Sequence, residues 1–142
     1  MEVTIDASVG VKWLLWEPDR GLAFALLESE EIAAPDLIKL EIGHVLGKRL
    51  RRGEISVLFA AEVWRNLNET PLRLEPFRDH LERAFALSLE TGTALYDCVY
   101  LALAVAEDEI LVTADERFAR AIRQCRDPAL AGHVRLLGEL EP

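Results

Sequence analysis

The sequence predicts an α/β domain in which a central parallel sheet is flanked by helices. Short apolar runs, Val3-Thr4-Ile5 and Ile110-Leu111-Val112-Thr113 among them, have strand character. They alternate with longer stretches whose apolar residues recur at helical spacing, the pattern of a parallel sheet with helical crossovers. No internal repeat, low-complexity tract or linker interrupts the chain, so residues 1–142 are expected to form one domain. A domain of that size buries roughly 70% of the surface its unfolded chain exposes, and needs neither disulfides nor structural zinc.

In order, Glu2 to Ile5 reads as a strand ending at Asp6, and Ala7 to Trp16 as an amphipathic helix stopped by Pro18. Arg20 to Ser29 is helical, and Ile32-Ala33-Ala34 is a short strand. Pro35 marks the start of a helix that runs to Arg52, with Gly53 in the usual C-terminal position. Ile55 to Leu67 is a further helix bounded by Thr70-Pro71, and Leu72-Arg73-Leu74 alternates as a strand does. Phe77 to Leu89 is helical, Gly92 breaks it, and Ala94 to Ala106 forms a strongly apolar helix. Ile110 to Thr113 is a buried strand that delivers Asp115, Glu116 to Gln124 is helical, and Val134-Arg135-Leu136 is a last strand. Periodicity leaves the strand order open.

Composition narrows the functional classes. Hydrophobic residues make up 51% of the chain and charged residues 29%. Cys98 and Cys125 belong to no Cys-x-x-Cys or Cys/His pattern, which argues against thiolate-bound metal. There is no signal-peptide pattern at the N-terminus, and the longest uncharged apolar stretches are too short for a membrane span. A cytoplasmic protein is therefore expected. The net charge of −9, from 25 acidic and 16 basic residues, lacks the basic footprint of a generic nucleic-acid binder. If several carboxylates converge, however, a bound cation reverses the local field. No Gly-x-Ser-x-Gly elbow or phosphate-binding P-loop is present. Asp6 as a phosphoryl-accepting nucleophile would lack a second nearby acid to hold magnesium.

Four carboxylates need explaining. Asp6 and Asp115 each follow an apolar strand, and open α/β sheets bind ligands beyond the carboxyl ends of their strands. Either residue alone is better read as a helix cap; two at equivalent places favour a site. Glu41 lies three residues after Ile38 and four before Val45, on or beside the stripe formed by Ile38, Ile42, Val45 and Leu46. It is either an edge residue reaching solvent or a carboxylate held by a partner. Asp97 is the sole charge between Thr91 and Ala106, where an isolated ionised carboxylate is heavily penalised. An Arg, the hydroxyl of Thr93 or Tyr96, or a metal could hold it. Together the four suit hard cations such as Mg2+ or Mn2+, which take oxygen ligands and keep several waters.

These residues also carry a family resemblance. Asp6-Ala-Ser-Val-Gly-Val-Lys-Trp13, Ala34-Pro-Asp-Leu-Ile-Lys-Leu-Glu41, Leu95-Tyr-Asp-Cys-Val-Tyr-Leu-Ala102 and Thr113-Ala-Asp-Glu-Arg-Phe118 resemble the motifs of PIN domains, most closely the VapC toxins of bacterial and archaeal toxin–antitoxin pairs. Each motif is weak alone, but their order and spacing cover nearly the whole chain. The resemblance implies a magnesium- or manganese-dependent endoribonuclease, a homodimer, and inhibition by a cognate antitoxin. It also implies an acidic pocket of Asp6, Glu41, Asp97 and Asp115, with Ser8 and Thr113 as polar supporters. Cleavage would proceed by attack of an activated water. A PIN-like protein-binding module without catalysis is the rival reading.

Substrate charge has to be met elsewhere. Lys48, Arg49, Arg51 and Arg52 crowd the end of the Glu41 helix, where basic residues complement the helix dipole. Lys48, seven residues after Glu41 and on roughly its face, is the expected phosphate contact, with Lys12 a weaker one. Glu116 reads as a solvated helix-start residue and His44 as an ordinary polar helix position. Trp13, Trp16 and Trp64 read as packing residues. Trp13, Leu14 and Leu27 on the early helices are expected to offer a dimer or antitoxin surface.

Overall fold

The structure, a computed structural model, describes residues 2–140. Five strands form one parallel sheet in the order β3-β2-β1-β4-β5: β1 (Glu2–Ile5), β2 (Glu31–Pro35), β3 (Arg73–Glu75), β4 (Ile110–Thr113) and β5 (Val134–Leu136). The helices are α1 (Ala7–Leu14), α2 (Arg20–Ser29), α3 (Leu37–Arg51), α4 (Val57–Glu69), α5 (Leu81–Thr91), α6 (Leu95–Ala106), α7 (Glu116–Arg123) and α8 (Pro128–Ala131).

The central strands are the most apolar, because a parallel strand covered on both faces has no solvent side. Ile5, Leu111 and Val112 are almost fully buried, and Thr4 between them is buried too. From β1 the chain steps outward through β2 to β3, then returns to the other side of β1 with β4. That reversal opens a crevice between the ends of β1 and β4, where open α/β sheets bind ligands. The register pairs Ile5 with Val112, so Asp6 and Thr113 emerge side by side.

Helix α6 packs against β1, β2 and β4. Its run from Cys98 to Ala104 is entirely buried, which accounts for the apolar composition seen in the sequence. Helix α1 packs on α3, and Gly10 permits the close approach: a Cβ there would lie 2.9 Å from Ile42 Cδ1. Among the described residues, no single helix is long and apolar enough to cross a membrane.

Several boundaries differ from expectation for identifiable reasons. Helix α1 ends at Leu14 rather than Trp16. Trp16 adopts a left-handed φ of 57°, and Glu17 N–H donates back to Lys12 O at 3.3 Å. This is the reversal of a Schellman-type helix end, with tryptophan where glycine is usual. Pro35 closes β2 instead of opening α3, and Asp36 N–H donates to Glu75 O at 2.8 Å. The Phe77–Leu89 segment divides into a 3-10 turn, Phe77–His80, followed by α5. Helix α8 was not anticipated, although Asp127 caps it and Pro128 occupies its first turn, the usual start signal.

The early helices expose part of their apolar surface, through Phe24 on α2 and Trp16 just after α1. Leu14 is buried, and Trp13 and Leu27 are half-buried against the core. The exposed apolar residues also include Leu81, Phe85 and Leu89 on α5, spaced four apart and therefore on one face.

Candidate metal centre

Each of the four carboxylates reaches the β1–β4 crevice by a different route. Asp6 is the residue after β1 and the N-cap of α1. Asp115 follows β4 by two residues and caps α7. Glu41 comes from the second turn of α3, and Asp97 from the first turn of α6. All four line one cleft of about 470 Å³, together with Ser8, Lys12, Glu17, Val45, Arg49 and Tyr100.

Capping and site formation turn out to be compatible. Asp115 Oδ1 accepts from Phe118 N–H at 3.0 Å, which fixes the carboxylate by one oxygen. Asp6 is more tightly held. Its Oδ1 accepts from Ser8 Oγ at 2.5 Å and from Val9 N–H at 3.3 Å, and its Oδ2 accepts from Thr113 Oγ1 at 2.5 Å. Ser8 Oγ in turn accepts from Ala114 N–H at 2.9 Å, and Thr113 Oγ1 from Asp115 N–H at 3.1 Å. Ser8 and Thr113 therefore tie the start of α1 to the end of β4 through Asp6.

Among the described residues, Asp97 lacks each protein partner that could have explained it. Among the described residues it has no hydrogen bond or ion pair. Thr93 Oγ1 is engaged with Thr91 and Cys98, and Tyr96 is exposed. Burial pushes its carboxyl up to about 6, and the nearby charges of Asp6, Asp115 and Glu41 add to the rise. Burial likewise raises Asp6 to about 6, against the lowering effect of its hydrogen bonds to Ser8, Thr113 and Val9. Desolvation also raises Glu41, offset in part by Tyr100 and His44. Glu41 Oε1 and the Tyr100 hydroxyl are both buried, and neither has a hydrogen-bond partner among the described residues. Burial and the charge of Glu41 keep the Tyr100 phenol protonated.

Crowded carboxylates repel one another, and a divalent cation would relieve that repulsion. The donor set is entirely oxygen, as magnesium and manganese prefer, and Glu41 Oε1 is an acceptor left over by the protein. Among the described residues, no three ligating groups are close enough to enclose an ion by themselves.

Other expected residues fall elsewhere. Lys48 is exposed and does not line the cleft; Arg49 does, as does Lys12. The cleft follows the Glu41-Val45-Arg49 row, whose spacing of four runs obliquely along a helix. His44 lines a neighbouring apolar recess with Leu40 and Tyr96, and Glu116 lines a separate hollow beside Leu136. Trp16 is largely exposed, with the Arg20 guanidinium 3.4 Å from its ring centroid, and Trp64 is also partly exposed. Tyr100 and Glu17 were not anticipated. Tyr100 sits three residues after Asp97, a spacing that was legible, whereas Glu17 lies in a connection with no periodic pattern.

Residues 3–123 match the PIN domain family, and the chain belongs to that family. It is 30% identical over 122 residues to Ribonuclease VapC3 of Pyrobaculum aerophilum, covering 84% of this chain and 93% of that protein. It is 31% identical over 123 residues to Ribonuclease VapC1 of Mycobacterium tuberculosis, covering 84% and 90%. Its fold resembles a toxin-antitoxin complex from Klebsiella pneumoniae, with a TM-score of 0.63 at 18% identity over 97% of this chain and 99% of that one.

Proposed function

We propose that this chain is a metal-dependent endoribonuclease and the toxin of a VapBC-type toxin–antitoxin pair, acting in the cytoplasm as one domain. The observation that carries this reading is the convergence of Asp6, Glu41, Asp97 and Asp115 on one cleft, with Asp97 and the buried Glu41 Oε1 unpartnered. Its relatives named as VapC ribonucleases support the choice of RNA.

In this reading Asp6, Asp97, Asp115 and Glu41 hold Mg2+ or Mn2+. When bound, the ion supplies Lewis acidity toward the attacking water and the phosphate oxygens. Ser8 and Thr113 orient Asp6, and the α7 cap orients Asp115, so neither carboxylate must reorganise during reaction. The Glu41 carboxylate would take the proton of the attacking water, the Tyr100 phenol would stay protonated beside it, and the leaving 3′-oxygen would take its proton from solvent. Water attack leaves a 5′-phosphate and a 3′-hydroxyl; a 2′,3′-cyclic phosphate product would overturn the scheme.

A cognate antitoxin fits the same cleft if it carries an Arg or Lys into it, and the likeness to a toxin-antitoxin complex supports such a partner. The reading also includes a homodimer, for which the Leu81, Phe85 and Leu89 face of α5 is one candidate surface. Phe85→Glu should then shift the sedimentation coefficient to that of a monomer.

The decisive experiment is cleavage of structured and unstructured RNAs with magnesium, manganese or chelator, beside identically prepared Asp97→Asn. Metal-dependent cutting lost in the variant is the expected result. Equal cutting by both preparations would identify a contaminating nuclease. Silence in both, with a blank metal titration, would favour the protein-binding module.

A further inference from the structure

The cleft contains an ion pair that metal binding does not use. Arg49, about two turns along α3 from Glu41, contacts the Glu17 carboxylate through its guanidinium, and both residues line the cleft. Their side chains are only 29% and 24% exposed, so the pair is partly withdrawn from water. Lys12, the other cation lining the cleft among the described residues, has its Nζ 3.3 Å from Pro18 O.

The connection that delivers Glu17 is held in a costly shape. Trp16 and Asp19, flanking the Glu17-Pro18 pair, have φ values of 57° and 67°. Left-handed backbone is disfavoured for a non-glycine residue, because its Cβ crowds the following carbonyl. The shape is maintained by Glu17 N–H donating to Lys12 O, by Arg20 Nε donating to Trp13 O at 3.1 Å, and by the Arg20 guanidinium over Trp16. These contacts keep a fifth carboxylate in a cleft that already holds four, and keep it on the one arginine there.

We propose that Arg49 is the phosphate-binding residue of the cleft, and that Glu17 is its competing counter-ion, displaced when an RNA phosphate enters. The inference rests on the ribonuclease reading. A guanidinium engages phosphate through the same forked geometry it offers a carboxylate, so one can replace the other without moving α3. Displacement also gives the polyanion a cation at a mouth otherwise dominated by acids. Glu17 thereby sets how readily substrate binds, and α3 supplies both a metal-site acid, Glu41, and the phosphate contact.

The test is steady-state cleavage of a short single-stranded RNA that the wild type cuts, with binding measured across a salt series. Arg49→Ala should raise KM about tenfold, the scale of one hydrogen bond to a charged group, and act on KM rather than kcat. Its salt slope should fall by about 0.7, the loss of one phosphate contact on a single strand, and Arg49→Lys should recover part of the KM. Glu17→Gln should lower KM, and that gain should vanish in the Arg49→Ala background. A Glu17→Gln gain that persists without Arg49 would mean simple charge repulsion and overturn the exchange. A fall in melting temperature with KM unchanged would reduce the pair to a clasp between the connection and α3. If the wild type neither cuts nor binds RNA, the ribonuclease reading fails along with this one; if it cuts and the variants do not differ, only this one fails.

Discussion

Thr113 Oγ1 donates to Asp6 Oδ2 at 2.5 Å across the β1–β4 junction, and the same hydroxyl accepts from Asp115 N–H at 3.1 Å. One side chain thus sets the position of two of the four cleft acids. Thr113→Val keeps the shape and removes both bonds. Groups that orient metal ligands typically contribute 10- to 100-fold, so metal-dependent cleavage should fall by about that factor. The circular dichroism spectrum should stay unchanged. Full activity in the valine variant would show that Ser8 and the Val9 N–H aim Asp6 without Thr113.

The raised carboxyls of Asp6 and Asp97 make the metal-free protein less stable as pH rises. Both carboxyls move from the ordinary 3.8 to about 6 in the fold. Below about pH 4 both states hold the proton and the full contribution is present. Between there and about 6 the folded state binds more protons than the unfolded one, so stability declines with rising pH. In chelator, Asp97→Asn should therefore melt above wild type at pH 7, with the gap closing near pH 4. A gap that does not change with pH would assign the effect to packing.

Divalent metal should reverse that ordering. A ligand that binds only the folded state at 100 times its dissociation constant adds about 2.7 kcal/mol. Magnesium or manganese should raise the melting temperature of wild type and leave Asp97→Asn almost unmoved. Equal shifts in both proteins would indicate ion binding away from the cleft.

Gly10 brings α1 onto α3, and Gly10→Ala would place a Cβ 2.9 Å from Ile42 Cδ1. Ile42 is fully buried, so its end can yield only at the expense of its neighbours. Overpacking of this kind costs about 1–3 kcal/mol. Activity should fall further than stability, because Asp6 and Glu41 sit on the two helices being forced apart. Urea denaturation and cleavage rates measured on one preparation would separate the two effects.

The acids were legible because their positions conflict with their surroundings: Asp97 as a lone charge in an apolar helix, Glu41 beside a core stripe, Asp6 and Asp115 just past apolar strands. Arg49 was harder to read because Lys48 and Arg49 differ by one helical position, and the choice depends on where α1 and its connection pack. Trp16 carries no sequence signal for a left-handed residue, so α1 read two residues too long. The strand order follows from tertiary packing that local periodicity does not encode. Residues 3–5 and 110–113 have the same character wherever they lie in the sheet.

Helix α6 joins the reacting end of the molecule to its most protected interior. Asp97 stands in its first turn, and the next seven residues are buried against three strands. Amide exchange along those seven residues should occur only when the entire molecule opens, so the carboxylate at their head is anchored to an element with no local route to disorder. The Leu15–Asp19 connection is instead held by Leu15 in the core and by a few contacts of Glu17 and Arg20. Substitutions that change what the cleft accepts can therefore accumulate around Glu17 at little expense to folding, while those along α6 would threaten the fold before they altered any preference.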